Sequence, residues 1–375
     1  VQVAQGAAPR EGAGRYFDVI LGIQWVVTNR VRYGIRVLNL SLSAPVRSHY
    51  WDDPLNQAVM AAWASGIVVV AAAGNSGPDP MSIGVPGNNP YVITVGAVTD
   101  NHQPYEPSEY RLATFSAAGP TYEGFVKPEV VAMGGHVRAY STTNGTLAQR
   151  FPHWFDDSNS ELVISGTSQA AAVTSGIVAL MLSADPALTP DTVKCRLMDS
   201  ARPAARPDGK LAYPVFQQGA GLVNAYDAVY STASGCANVG LNVALDLAGI
   251  THYGGRANQD ANGNFYIMEV QQPVQSGLLK TTFSLLKNTK NSLLGNVPLL
   301  GKLLVGVAST LDGLVWDGGP PSSTGHVWSG GYTWSNGYTW SNGFTWSNGY
   351  TWSNGFTWSN NYTGDASSVE PANQE

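Results

Sequence analysis

Charge is scarce in this chain of 375 residues. Asp, Glu, Lys and Arg make up 12% of it, about half the usual share. Twenty basic residues against 26 acidic ones leave a formal charge of −6, and no long Lys/Arg run occurs. Nucleic acid and anionic membranes are therefore poor partners. No apolar run reaches the ~18 residues that span a bilayer. The nearest, 303–316, is too short and contains Asp312, so no transmembrane segment is expected. Cysteine is limited to Cys195 and Cys236, and methionine to six residues. With so little charge, that composition suits a secreted or cell-surface protein better than a cytosolic one. Nothing has the spacing of a zinc, haem or nucleotide site, so no metal and no cofactor is expected. Neither an initiator methionine nor a charged-then-apolar leader precedes Val1, and the expectation is a part of a longer protein.

What the chain does have is apolar residues, 43% of the total, enough for a real core. The length predicts two or three domains. Composition divides it into three zones: 1–231, 232–320 and 321–375.

The first zone alternates amphipathic helices with short apolar runs. Phe17, Ile20, Ile23, Val27 and Val31 recur near a 3.6 period. Asp53-Pro54 reads as an N-cap and first helical position, with Gly66 closing that helix. Thr189-Pro190 opens another. Between them lie the runs 36–42 (RVLNLSL), 66–73 (GIVVVAAA) and 91–98 (YVITVGAV). Continuous apolar strands separated by helices predict a doubly wound, mainly parallel α/β sheet with helices on both faces.

The second zone reads as an accessory region. The stretch 258–270 predicts a turn and a strand, and 278–311 is Leu-rich with Lys and Asn interspersed. The third zone is a hexapeptide repeat, YTWSNG at 332 and recurring at 338, 344, 350 and 356, with a degenerate copy at 326. It carries six of the 11 tryptophans. Aromatic residues at positions one and three share one face of an extended segment, and Ser-Asn-Gly supplies a turn. A stacked β-array and a flexible low-complexity tail both remain open. Carbohydrate or cell-surface contact through the tryptophans is an expectation resting on the aromatics alone.

Three segments carry chemistry. Ser165-Gly166-Thr167-Ser168 precedes a long apolar stretch, which puts Ser168 in the first turn of a buried helix. Backbone N–H groups there favour a developing negative charge. A serine in that place is ordinarily just a cap. Asn75, however, lies in a Gly-flanked turn directly beyond the 67–72 strand, where open parallel sheets place their sites. Its amide donates hydrogen bonds without carrying charge. Asn39 and 41–43 end the preceding strand.

These segments resemble the subtilisin family of serine peptidases. The matching stretches are VLNLSLSAP (37–45), VVVAAAGNSGP (68–78), YVITVGAV (91–98), FSAAGP with KPEVVA (115–132), SGTSQAAAVTSG (165–176) and GAGLVNAYDAV (219–229). They keep family order and spacing over roughly the first 230 residues. The resemblance implies that Ser168 is the nucleophile and Asn75 the side-chain oxyanion donor. It implies that Ser41, Leu42 and Ser43 pair with an extended polypeptide substrate. Ala71, Ala72, Ala73 and Gly74 would line the pocket for the residue before the scissile bond.

The chain also departs from the family. A serine nucleophile needs a histidine base and an orienting acid. The family carries both upstream of the VLNLSL strand, and neither motif occurs here. His49, with Asp52 and Asp53, is the nearest substitute, although it lacks the family context. Ala172 stands where proline is usual, Met133 begins a stretch where Ala-Pro-Gly is expected, and Ser43 replaces a common glycine. Cys195 and Cys236 either pair or remain as two buried thiols. Asp100, Asp156 and Asp157 leave structural calcium open, but no loop spells a ligand set. The expectation is the later part of a secreted endopeptidase domain. Its rival is a non-catalytic surface-binding protein on the same fold.

Overall fold

The computed structural model describes residues 14–267 apart from breaks at 104–105, 142–144, 146–147, 150, 156–160, 208–210 and 260–262, together with 314–315 and 368–369. The Leu-rich stretch 278–311 and the repeats of 326–361 thus lie outside the described residues.

Helix α1 (Tyr16–Tyr33) ends where Gly34 turns left-handed at φ 63°. Its buried stripe is Ile23, Val26 and Val27, whereas Phe17 and Val31 of the expected stripe are exposed. Tyr16, Val19 and Ile20 also pack against the core, so the covered face runs from the start of the helix, passes beside Phe17 and stops short of Val31. Strand β1 (Val37–Leu40) follows. Helix α2 (Pro54–Ala64) starts as its sequence predicts. The Asp53 carboxylate accepts from the N–H groups of Leu55 (2.9 Å) and Asn56 (3.0 Å), two donors that a helix start leaves unpaired. Gly66 then turns at φ 88° into β2 (Val68–Ala72).

Strand β3 (Ile93–Thr99) begins two residues later than its apolar run. The Asn89 side chain accepts the Tyr91 N–H at 3.0 Å, and this Asx turn delays the ladder. A short β4 (Arg111–Leu112) pairs antiparallel with the end of β3, and β5 (Val130–Met133) pairs parallel with it. The central order is β1-β2-β3-β5, all parallel, with Leu40 opposite Ala71, Ala72 opposite Val95, and Val98 opposite Met133. All five residues of β2 are buried, as a strand covered on both faces must be. This is the doubly wound α/β arrangement.

A ribbon of β6 (Val137–Tyr140) and β7 (Glu161–Ile164) leads into α3 (Thr167–Ala184). Among the described residues, α3 is the one helix long and apolar enough to cross a bilayer. It packs along β1, β2, β3 and β5, so it serves here as a core helix. Helix α4 (Pro190–Ser200) is capped by the Thr189 hydroxyl, which accepts from the Thr192 N–H.

Between sheet and α4 lies a buried ionic cluster. Glu129 pairs with Lys127 at 2.6 Å and Lys194 at 2.7 Å, all three nearly inaccessible. Burial alone would raise the Glu129 carboxyl. The two ammonium groups outweigh it and hold the group below the ordinary carboxylate value.

The described residues 236–257 pack on the same core. Cys195 and Cys236 form a disulfide with Cα atoms 5.1 Å apart. Asp246 accepts from the hydroxyls of Tyr50 (2.6 Å) and Tyr91 (3.0 Å), both buried in the first zone. Gly255 and Ala257 donate backbone bonds to Glu123 and Gly124. A hairpin, β8 (Ala257–Gln259) with β9 (Phe265–Ile267), follows where a turn and a strand are expected.

Candidate active site

The start of α3 is held from two sides. On one side, Gly166 N–H donates to Gly134 O at 2.7 Å, and the Ser165 hydroxyl accepts the His136 N–H at 3.0 Å. These bonds tie the helix entry to the end of β5. The approach is close: a Cβ on Gly134 would lie 2.7 Å from Gly166 O and 2.8 Å from the Ala97 Cβ. On the other side stands Asn75, which follows β2 through Gly74 at φ 108°. Gly166 has no side chain with which to cap α3. The Asn75 side-chain oxygen takes that place, accepting the Thr167 N–H at 3.0 Å and the Thr167 hydroxyl at 2.8 Å. The same hydroxyl accepts the Gly74 N–H at 3.2 Å. With its oxygen engaged twice, the carboxamide is fixed in orientation, and its NH2 is the donor end.

Ser168 is the next residue of that first turn. Its hydroxyl donates to Ser41 O at 3.3 Å, and the Ser41 hydroxyl donates to Ser168 O at 2.8 Å. Asn39 donates to the Ser41 hydroxyl at 2.9 Å and accepts from Ser175 of α3 at 3.0 Å. Ser41, Asn75 and Ser168, far apart in sequence, are thus brought to one edge of the sheet.

The stretch 41–43 runs on from β1 into a bridge, where Ala44 and Val85 exchange backbone bonds of 2.9 and 2.8 Å. Ala71 and Ala72 lie in the β2 ladder and belong to the main core. Ala73 separates from them, joining Ile83 and Ala117 in a small apolar cluster beside Gly74. Gly84 N–H donates to Ala73 O at 3.1 Å. Thr167, Ile83, Gly84 and Ala117 are parts of this edge that the sequence reading does not single out. The glycines beside Asn75 and the Ile-Gly-Val stretch 83–85 are the signal the sequence offers for the pocket side of this edge.

Four histidine side chains are described: His49, His102, His136 and His252. None of them hydrogen-bonds Ser168. His49 is paired with Glu123 at 3.2 Å and stacks on Trp51 with ring centroids 4.3 Å apart. Asp53 serves as the α2 cap and accepts the Tyr16 hydroxyl at 2.9 Å, and burial pushes its carboxyl up to about 6. Burial also raises the Asp52 carboxyl. His49 and Asp53 therefore have other partners and do not form a dyad. Asp100 lies 3.8 Å from His136, and Asp156 and Asp157 fall outside the described residues. Among the described residues, no three His, Cys, Asp or Glu side chains converge to hold a metal.

A model of the Subtilase family, the S8 peptidases, matches residues 1–221. Serine protease AprX of Bacillus subtilis (strain 168) is 35% identical over 225 residues, 59% of this chain and 49% of that protein. Subtilisin DY of Bacillus licheniformis is 38% identical over 192 residues, 51% of this chain and 57% of that protein. The S41 psychrophilic protease is a similar solved structure, at 26% identity and TM-score 0.45, covering 57% of this chain and 65% of that one. The chain spans about half the length of the curated relatives it matches. With the family pattern covering more than half of its residues, the chain belongs to the subtilase family of serine peptidases.

Proposed function

We propose that the protein is a serine endopeptidase that cleaves polypeptides through an acyl-enzyme on Ser168. The observation that carries this reading is the Asn75–Thr167 lock at the start of the Ser168 helix. Acyl transfer builds negative charge on the former carbonyl oxygen, and fixed, uncharged donors stabilise it without reorganising. The Asn75 NH2 and the backbone N–H of Ser168 are those donors; the Thr167 N–H is engaged by Asn75, and those of Gln169 and Ala170 by Gly166 O. The backbone of 41–43 pairs with the extended substrate, and Ala71, Ala72, Ala73 and Gly74 line the pocket for the residue before the scissile bond. No cofactor enters the reaction.

The general base and its orienting acid are the family's histidine and aspartate, whose motifs these 375 residues do not contain. The chain by itself is expected to give no useful turnover, beyond what the oxyanion donors alone supply. Robust hydrolysis by these 375 residues, abolished by Ser168→Ala, would show that another residue acts as base.

The protein acts outside the cell or at its surface. The Cys195–Cys236 disulfide supports that location, since such links persist in oxidising compartments. The Trp repeats of the tail contact carbohydrate or the cell surface. Deleting 321–375 from the full-length protein should leave short-peptide hydrolysis intact and weaken attachment to cells or polysaccharide. One observation favours the rival, a non-catalytic surface-binding protein: the Ser168 hydroxyl bonds to the Ser41 carbonyl and not to an imidazole. Full-length protein that binds cells but hydrolyses no peptide would favour the rival.

A further inference from the structure

Ser43 occupies the junction between the substrate segment and the pocket. Its Oγ lies against two glycines from different parts of the chain. A Cβ on Gly84 would fall 2.0 Å from that oxygen, and a Cβ on Gly74 2.9 Å from it. Real side chains do not approach so closely, so the serine and the two glycines form one fitted set. The surrounding backbone has little freedom to move aside. Gly84 is bonded to Ala73, and Ala44 to Val85 in both directions. Ala73, Ile83 and Ala117 close the wall next to them, all three buried. No hydrogen bond ties the Ser43 hydroxyl to another described residue. It fills the space between Gly74 and Gly84 by its volume alone.

We propose that Ser43 is a specificity-determining residue that plugs this slot, so that the substrate residue before the scissile bond must be glycine, alanine or serine. The inference rests on the reading that substrate runs along 41–43 with its side chain directed at 71–74. An aromatic or long aliphatic side chain has two options at such a site. It can displace a serine backed by bonded backbone, or stay in water and forgo burial; both weaken binding relative to alanine. A small side chain meets neither obstacle. The free capacity of the Ser43 hydroxyl also gives a serine side chain a partner.

The test uses binding, so that it does not depend on turnover. Two product-like peptides, Ala-Ala-Pro-Ala and Ala-Ala-Pro-Phe with free carboxyl ends, are titrated calorimetrically into the full chain and into its Ser43→Gly and Ser43→Ala variants. The expected result is at least tenfold tighter binding of the Ala-ended peptide to the unchanged chain. In Ser43→Gly the Phe-ended peptide should tighten at least tenfold, while the Ala-ended one changes less than threefold. Ser43→Ala, which keeps the Cβ and loses only the oxygen, should fall between and guards against a folding defect in the glycine variant. Equal binding of both peptides to the unchanged chain overturns the proposal. So does discrimination that survives both variants, or binding of neither peptide. Peptide hydrolysis by the full-length protein, measured separately, distinguishes the two claims. Discrimination without hydrolysis sinks the catalytic reading alone, and hydrolysis without discrimination sinks the plug alone.

Discussion

The side-chain oxygen of Asn75 accepts two hydrogen bonds from a single residue, Thr167: one from its N–H at 3.0 Å and one from its hydroxyl at 2.8 Å. Thr167 is the residue before Ser168. The carboxamide that is proposed to meet the oxyanion is therefore anchored to the same helical turn as the proposed nucleophile.

Thr167→Val removes the hydroxyl donor and the acceptor for Gly74, and keeps the backbone bond to Asn75. Each hydrogen bond contributes about 1 kcal/mol net. In the full-length enzyme kcat should fall about tenfold, with KM within a factor of two, because a loosened Asn75 weakens a bond that matters mainly in the transition state. Asn75→Ala should cost more, on the order of the 10²–10³ in kcat seen when subtilisin loses its own oxyanion asparagine. Steady-state kinetics on a short peptide checks both. A rise in KM at unchanged kcat in either variant would move Asn75 from the oxyanion to ground-state binding.

Asp53 ties stability to pH. Its folded value of about 6 lies above the ordinary 3.8, and burial is the cause, working against hydrogen bonds from Asn56, Tyr16 and Leu55. Between these two values the folded state holds a proton that the unfolded chain has released. That contribution is complete below about pH 4 and is lost as pH rises through about 6, for a total of about 3 kcal/mol. Asp53→Asn retains a capping oxygen and an acceptor for Tyr16 but cannot ionise. Relative to the unchanged protein, its stability should rise by about that amount between pH 4 and pH 7. Urea melts at both values report the difference, and two parallel stability curves would contradict it.

The Cys195–Cys236 link closes a loop of 41 residues and joins α4 to the segment that carries Asp246. Loop-closure entropy assigns it about 4 kcal/mol. A Cys195→Ala/Cys236→Ala double variant should lose about that much, as should the unchanged protein in reductant. A loss below about 1 kcal/mol would mean that the contacts of Asp246 and Tyr253, not the disulfide, hold this segment in place.

Much of the sheet is legible in the sequence because buried parallel strands are continuous apolar runs, as 67–73 is. Ser168 and Asn75 are legible as a polar residue at a helix start and another just past a strand. Thr167 is not, because a threonine there reads as an ordinary helix residue until Asn75 is brought against it. Nor is the packing of 236–259 on the first zone: Tyr50 and Asp246 are 196 residues apart, and no local period announces such a bond. His49 shows the converse. Its nearness in sequence to Asp52 and Asp53 suggests a dyad, yet in space it pairs with Glu123, 74 residues away.

The central claim is that Ser168 is an activated nucleophile, and covalent labelling reads this directly. A fluorophosphonate phosphonylates a serine hydroxyl only when a site activates it and stabilises the resulting oxyanion. Full-length protein treated with the reagent and mapped by peptide mass spectrometry should carry one adduct, on Ser168, with matching loss of peptide hydrolysis. The Ser168→Ala protein should take up no label and hydrolyse nothing. An adduct on another residue, or peptide hydrolysis that persists in Ser168→Ala, would contradict the account.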